Sequence, residues 1–189
     1  MTNRHAPHLI LTLCLLMLAL AAGCATKSAA PVLSVSPAFP AEGVRIGVVP
    51  FTPATDPNGA IVADALAAEL MRVPGVTLVE RTVVNQVMAK FGTTWQQVLA
   101  DRDVRLVNEA GVDALLVGDL SAFAEREGDY DKPVSTVAYS ARVVDIRSGE
   151  VLLAFSCNAD WNNYKPAALA QAIAREAVED FMDTRGIKH

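Results

Sequence analysis

Histidine is nearly missing from this chain. There are three in 189 residues; His5 and His8 lie near the start and His189 is the last residue. A Ser-His-Asp or Cys-His site inside the folded part is thereby excluded, and so is an ordinary zinc site. Cysteine is equally scarce. Cys14 falls in an apolar leader and Cys24 at its end, which leaves Cys157 as the one free thiol and no intrachain disulfide. The flanking Val151 and Phe155 mark Cys157 as a strand residue, where a lone cysteine is a small hydrophobe. No G-x-x-x-x-G-K-[ST] loop and no G-x-G-x-x-G run is present, so neither phosphate-binding signature applies. Positive charge is not in excess: the formal net charge is −5, which gives no electrostatic footprint for nucleic acid. Long hydrophobic runs are missing too. The longest, residues 9–20, is short for a membrane-spanning helix.

That run has the anatomy of a signal peptide. Arg4 supplies the positive start, residues 9–20 the apolar stretch, and Ala21-Ala22-Gly23-Cys24 the small-residue end. The end resembles a bacterial lipobox, although Ala21 stands where Leu is commoner. The lipobox implies cleavage before Cys24, diacylglycerol on its thiol and an acyl chain such as palmitate on its amine. Residues 24–42, rich in Ala, Pro and Ser, show no convincing period. They are expected to be a flexible tether that holds the domain off the membrane. The domain is then 43–189.

Within the domain the clearest element is residues 134–155. Two apolar, β-branched runs face each other across Arg147-Ser148-Gly149, a β-hairpin whose Gly149 supplies the positive φ of a three-residue loop with a bulge. Upstream, residues 44–51 read as a central strand. A helix follows over 59–72, with Ile61, Ala65, Leu66 and Leu70 on its buried face and Asp64 and Glu69 elsewhere. Asp56 or Asn58 caps it. Residues 76–79 are a strand, and a helix with the stripe Val84, Val87, Met88 and Phe91 stops at Gly92. Thr93 or Thr94 caps one or two short helices over 95–110, jointed at Asp101-Arg102-Asp103. Residues 114–123 form the next strand, 125–133 an acidic loop, and 160–165 a polar connection with aromatics. Pro166 opens the closing helix, whose apolar face holds Leu169, Ile173, Ala177 and Phe181. The order β-α-β-α-α-β-β-β-α makes this an α/β domain, a mixed β-sheet flanked by helices in two or three layers.

Several short motifs recur in that order: Val48-Val49-Pro50-Phe51, Ala63-Asp64-Ala65-Leu66, Val79-Glu80-Arg81, residues 111–118 (GVDALLVG), and Ala141-Arg142-Val143-Val144-Asp145 with Ser148-Gly149-Glu150-Val151. Behind a lipobox, this series resembles the CsgG-like lipoproteins, among them smaller relatives without a barrel such as FlgO and LpoB. The resemblance covers residues 44–181. It implies an envelope lipoprotein that is not an enzyme and serves an assembly or secretion system by binding protein, with self-association through a free sheet edge or the Trp161–Tyr164 region. Ala25 after the lipidated Cys resembles the signal for the periplasmic face of the outer membrane. An LpoB-like activator of a penicillin-binding protein is the alternative. The secretion channels of that family insert long amphipathic hairpins; here the insertion point, residues 124–133, is short and acidic, and no membrane barrel is expected from this chain alone.

The same motifs have plain structural readings. Gly118 marks a bulge or a close backbone approach. Arg142 with Asp145, and Glu80 with Arg81, read as paired structural charges. Glu125, Glu127, Asp129 and Asp131 lack the order of a calcium loop, so a solvated loop is expected and no metal or cofactor beyond the lipid on Cys24. The remaining signal is aromatic. Trp161 and Tyr164, with Asn162, lie in a polar connection, and Tyr130 lies in the acidic loop. Each is either an anchor for a protein partner or a ring folded onto the core edge. Trp95 is expected to pack on the core.

Overall fold

The computed structural model describes residues 31–40, 43–128 and 132–187. The leader, Cys24, Tyr130 and His189 lie outside them. Strands β1 (Val32–Val35), β2 (Val44–Val48), β3 (Val76–Val79), β4 (Ala114–Glu127), β5 (Pro133–Asp145) and β6 (Val151–Asn162) are accompanied by helices α1 (Pro57–Leu70), α2 (Arg81–Phe91), α3 (Trp95–Asp101), α4 (Arg105–Ala110) and α5 (Pro166–Thr184). The strands form one mixed sheet in the order β1-β6-β5-β4-β2-β3. The expected α/β class, hairpin and closing helix are all present. From β2 onward the order is the expected one, with 95–110 divided at Arg102, which turns left-handed at φ 51°.

Local chemistry explains the element ends. Asp56 accepts a hydrogen bond from the Asn58 N–H at 2.9 Å and Pro57 occupies the first turn, so Asp56 is the cap of α1. Thr94, not Thr93, caps α3 in a reciprocal box with Gln97. In the β5–β6 turn, Asp145 Oδ1 accepts from the Ser148 N–H at 2.7 Å and its hydroxyl at 2.8 Å, and Gly149 takes φ 74°. The bulge falls between Val143 and Val144.

Two cores flank the sheet. On one face, α1 and α5 bury Phe51, Leu66, Leu70, Leu116, Leu153 and Phe181. On the other, α2–α4 bury Val84, Val98, Leu106, Leu115 and Ile146, but only at the β2–β4 end. The domain is therefore three layers thick at one end and two at the other. The α5 face is buried as expected. The α1 face is rotated: Ile61 is 41% exposed, while Glu69 is only 4% exposed. The reason is that α1 packs against α5 as well as the sheet, so its buried arc is displaced toward Val62, Ala63 and Glu69.

Three expectations need correction. The stretch read as tether is partly folded. Val32–Val35 pairs antiparallel with β6, and Phe39 is buried with its ring 5.0 Å from that of Phe181. A four-residue edge strand is too short to show a period. Next, residues 125–127 are not loop: β4 continues through Glu127, which pairs with Pro133. Finally, β6 runs through Asn162, which shortens the connection to α5. In both cases cross-strand pairing overrides a polar composition.

Candidate functional site

Strands β4, β5 and β6 have 14, 13 and 12 residues, and their far ends carry the aromatic pair. Trp161 and Tyr164 pack against each other, ring centroids 5.5 Å apart and planes tilted by 51°, and are 44% and 39% exposed. The pair is rigidly held. The Ser135 hydroxyl, fully buried, donates to the Tyr164 carbonyl. The Asn163 N–H donates to the Pro133 carbonyl at 2.9 Å, which Asn163 reaches by adopting φ 64°. Ion pairs flank it: Lys165 with Glu125 at 3.1 Å and Arg126 with Asp160 at 3.7 Å. Asn162 is exposed beside it, opposite Val134. Trp95 packs against the second core with Met88 and Leu99.

A second feature was not anticipated. Among the described residues no helix covers the α2–α4 side of the sheet over β1, β6 and the outer part of β5. Ser140, Arg142, Ser156 and Asn158 face water there, in register with Ser34, Ala138 and Ala154. The β5 and β6 alternation carries this signal, but only the topology shows that nothing lies over it. The expected charge pairs are absent. Asp145 is engaged in the turn, and Arg142 is exposed with no carboxylate partner among the described residues. Arg81 pairs with Asp64 of α1 rather than with Glu80. Gly118 is the close approach, not the bulge: a Cβ there would lie 2.5 Å from the Ser140 carbonyl oxygen.

The parallel strand β2 lies between β3 and β4, with α1 and α2 leaving on opposite faces. Its carboxyl end is thus a switch point, where α/β sheets commonly place ligands. The crevice there, about 550 Å³, is lined by Val49, Pro50, Met88 and Trp95 with Asn85 and Thr94 as polar groups. No ionisable side chain lines it. Among the described residues no cluster of His, Cys, Asp and Glu is arranged to hold a metal ion, and no helix is long and apolar enough to cross a membrane.

The titratable groups buried elsewhere have structural surroundings. Glu69 accepts hydrogen bonds from Arg72 at 2.7 Å and Gln171 at 2.5 Å, with Arg175 at 3.5 Å. Burial alone pushes its carboxyl up; the hydrogen bonds and the two guanidinium charges outweigh this and hold it below the usual glutamate range. Burial pushes the Cys157 thiol up to about 11 against the opposing hydrogen bonds of Tyr139. Alkylation of Cys157 by iodoacetamide at pH 8 should therefore run about a hundredfold slower than that of a small-molecule thiol, because the thiolate is the nucleophile. Unfolding in urea should abolish the difference. Equal rates in the folded state would contradict the burial.

No protein-family model matches the chain, and no curated protein matches it. Solved structures do. The PelC dodecamer from Paraburkholderia phytofirmans superposes with a TM-score of 0.53 at 13% identity, covering 78% of this chain and 93% of that one. The C-terminal domain of LpoB from Escherichia coli aligns at a TM-score of 0.39 and 18% identity over 63% of this chain and 82% of that one, too loose a likeness to build on. Lipoprotein GNA1162 from Neisseria meningitidis superposes with a TM-score of 0.53 at 25% identity, covering 74% of this chain and 99% of that one. The chain thus shares its fold with PelC and with the lipoprotein GNA1162.

Proposed function

We propose that this chain is a non-enzymatic accessory component of a cell-envelope assembly, anchored by lipid on Cys24 to the periplasmic face of the outer membrane, and that its domain binds protein, including further copies of itself. The observation that carries this reading is the uncovered sheet face around Ser140, Arg142 and Ser156. Small side chains let another surface approach closely, and Arg142 offers that surface a cation. The outer side of α5 is complementary, with Glu176 and Asp180 exposed on it. Sheet face against the α5 side of the next copy is a head-to-tail contact, which closes into a ring when its rotation permits. The shared fold with PelC, itself a dodecamer, and with the lipoprotein GNA1162 supports the reading. So does the CsgG-like series of motifs.

Light scattering tests it. A chain beginning at Ala25, and the acylated protein in detergent, are expected to show one discrete oligomer. Arg142→Glu should reduce it to monomer while the far-ultraviolet circular dichroism stays that of the wild type. A monomer in both preparations, or an oligomer indifferent to Arg142→Glu, would overturn assembly through this face.

A further inference from the structure

We infer that the Trp161–Tyr164 end of the sheet rests in the membrane–water interface, with a phospholipid surface as its partner. The inference depends on the lipid anchor at Cys24 and adds to it an orientation. Because β1 is folded onto β6, the leash between lipid and domain is short. Cys24 stands eight residues before Val32, which is at most about 29 Å of extended chain. Its direction is set as well. The antiparallel register places Val32 opposite Ser156 and Val35 opposite Leu153, so the chain entering β1 comes from the side on which β6 ends. Trp161 lies five residues beyond Ser156 on that side, about 17 Å along the strand. A leash fully stretched along the strand direction thus ends about 12 Å past Trp161, and one shortened by that much brings Trp161 to the bilayer.

The chemistry at that end suits the interface. Trp and Tyr have an apolar body with one polar edge, and concentrate where lipid headgroups meet hydrocarbon. This pair is exposed, packed together, and fixed by Ser135 and Asn163, so its insertion orders no loop. Of the neighbouring charges, Lys165 is paired with Glu125 and Arg126 with Asp160, while Glu127 and Lys132, nearer the hairpin tip, have no ion-pair partner among the described residues. Tethering by one short leash then makes the second contact effectively intramolecular.

The test uses the acylated full chain in vesicles of phosphatidylethanolamine and phosphatidylglycerol with brominated acyl chains. The chain has two tryptophans, so Trp95→Phe isolates Trp161. Should that variant fold poorly, the wild type minus Trp161→Phe gives the same signal by difference. The expected result is a blue shift and loss of Trp161 emission in the brominated vesicles. Protein that sediments with the vesicles while Trp161 stays unquenched overturns the inference and leaves the anchor standing. Protein that does not sediment overturns the anchor, and the inference with it. Shielding of Trp161 from aqueous acrylamide in a lipid-free chain beginning at Ala25 would make the pair a protein interface, and would also overturn it.

Discussion

Replacing Phe51 with alanine is expected to lower the unfolding free energy by about 3–5 kcal/mol, the range for truncating a fully buried phenylalanine. Phe51 closes the Val48-Val49-Pro50-Phe51 run and has no exposed surface. Its backbone N–H donates to the Gly59 carbonyl at 3.2 Å, joining the end of β2 to the first turn of α1. Its ring lies over Gly118 and 5.9 Å from the Tyr139 ring. A Cβ on Gly118 would come within 2.8 Å of that ring, and one on Gly59 within 2.3 Å of the Phe51 carbonyl oxygen. Two glycines therefore make the room that the ring and its backbone fill, and their rigid backbone walls cannot collapse into the space alanine would leave. Urea denaturation followed by circular dichroism measures the loss. A change below about 1 kcal/mol would show that the site collapses, contrary to this packing.

The second large effect concerns Glu69. Replacing Arg72 and Arg175 together with methionine should destabilise the domain at pH 7, because it strands a buried carboxylate with Gln171 as its remaining partner. The sign of the pH dependence follows from the surroundings. In the native chain the Glu69 carboxyl is held below its ordinary range, so its contribution is present above about pH 4.3 and is lost as pH falls through the lower folded value. In the double variant burial is opposed by the Gln171 hydrogen bond alone, so the same group titrates higher than in the native chain. The variant then recovers stability as Glu69 takes up a proton, and the gap to wild type narrows on acidification. Denaturant titrations at pH 7 and pH 4 read the gap directly. A gap of equal size at both would show that the arginines act by packing alone.

Glu69 also shows where reading one chain stops. On the helix α1 by itself, Glu69 three residues before Arg72 is an ordinary exposed ion pair. Only the packing of α5 alongside, bringing Gln171 and Arg175, turns that position inward. The same packing exposes Ile61, which α1 taken alone would bury. Edge pairing has the same character. Nothing in Val32-Leu33-Ser34-Val35 distinguishes an edge strand from a linker until β6 presents its free side. The acidic residues 125–127 become strand because β5 pairs with them.

By contrast, the hairpin turn at Gly149, the caps of α1 and α3, the break at Arg102 and the long face of α5 were all legible, each resting on interactions within a few residues. The scarcity of histidine and the aromatic composition around Trp161 are also properties of the sequence alone. Where the aromatics stand was decided by the tertiary structure. The bonds that hold Asn163 and Tyr164, the bare sheet face beside Arg142 and the folding of Val32–Val35 onto β6 all depend on which strand lies next to which. The β1–β6 pairing joins residues more than a hundred positions apart and the Ser135–Tyr164 bond residues 29 apart, and a local pattern of polarity carries no record of either.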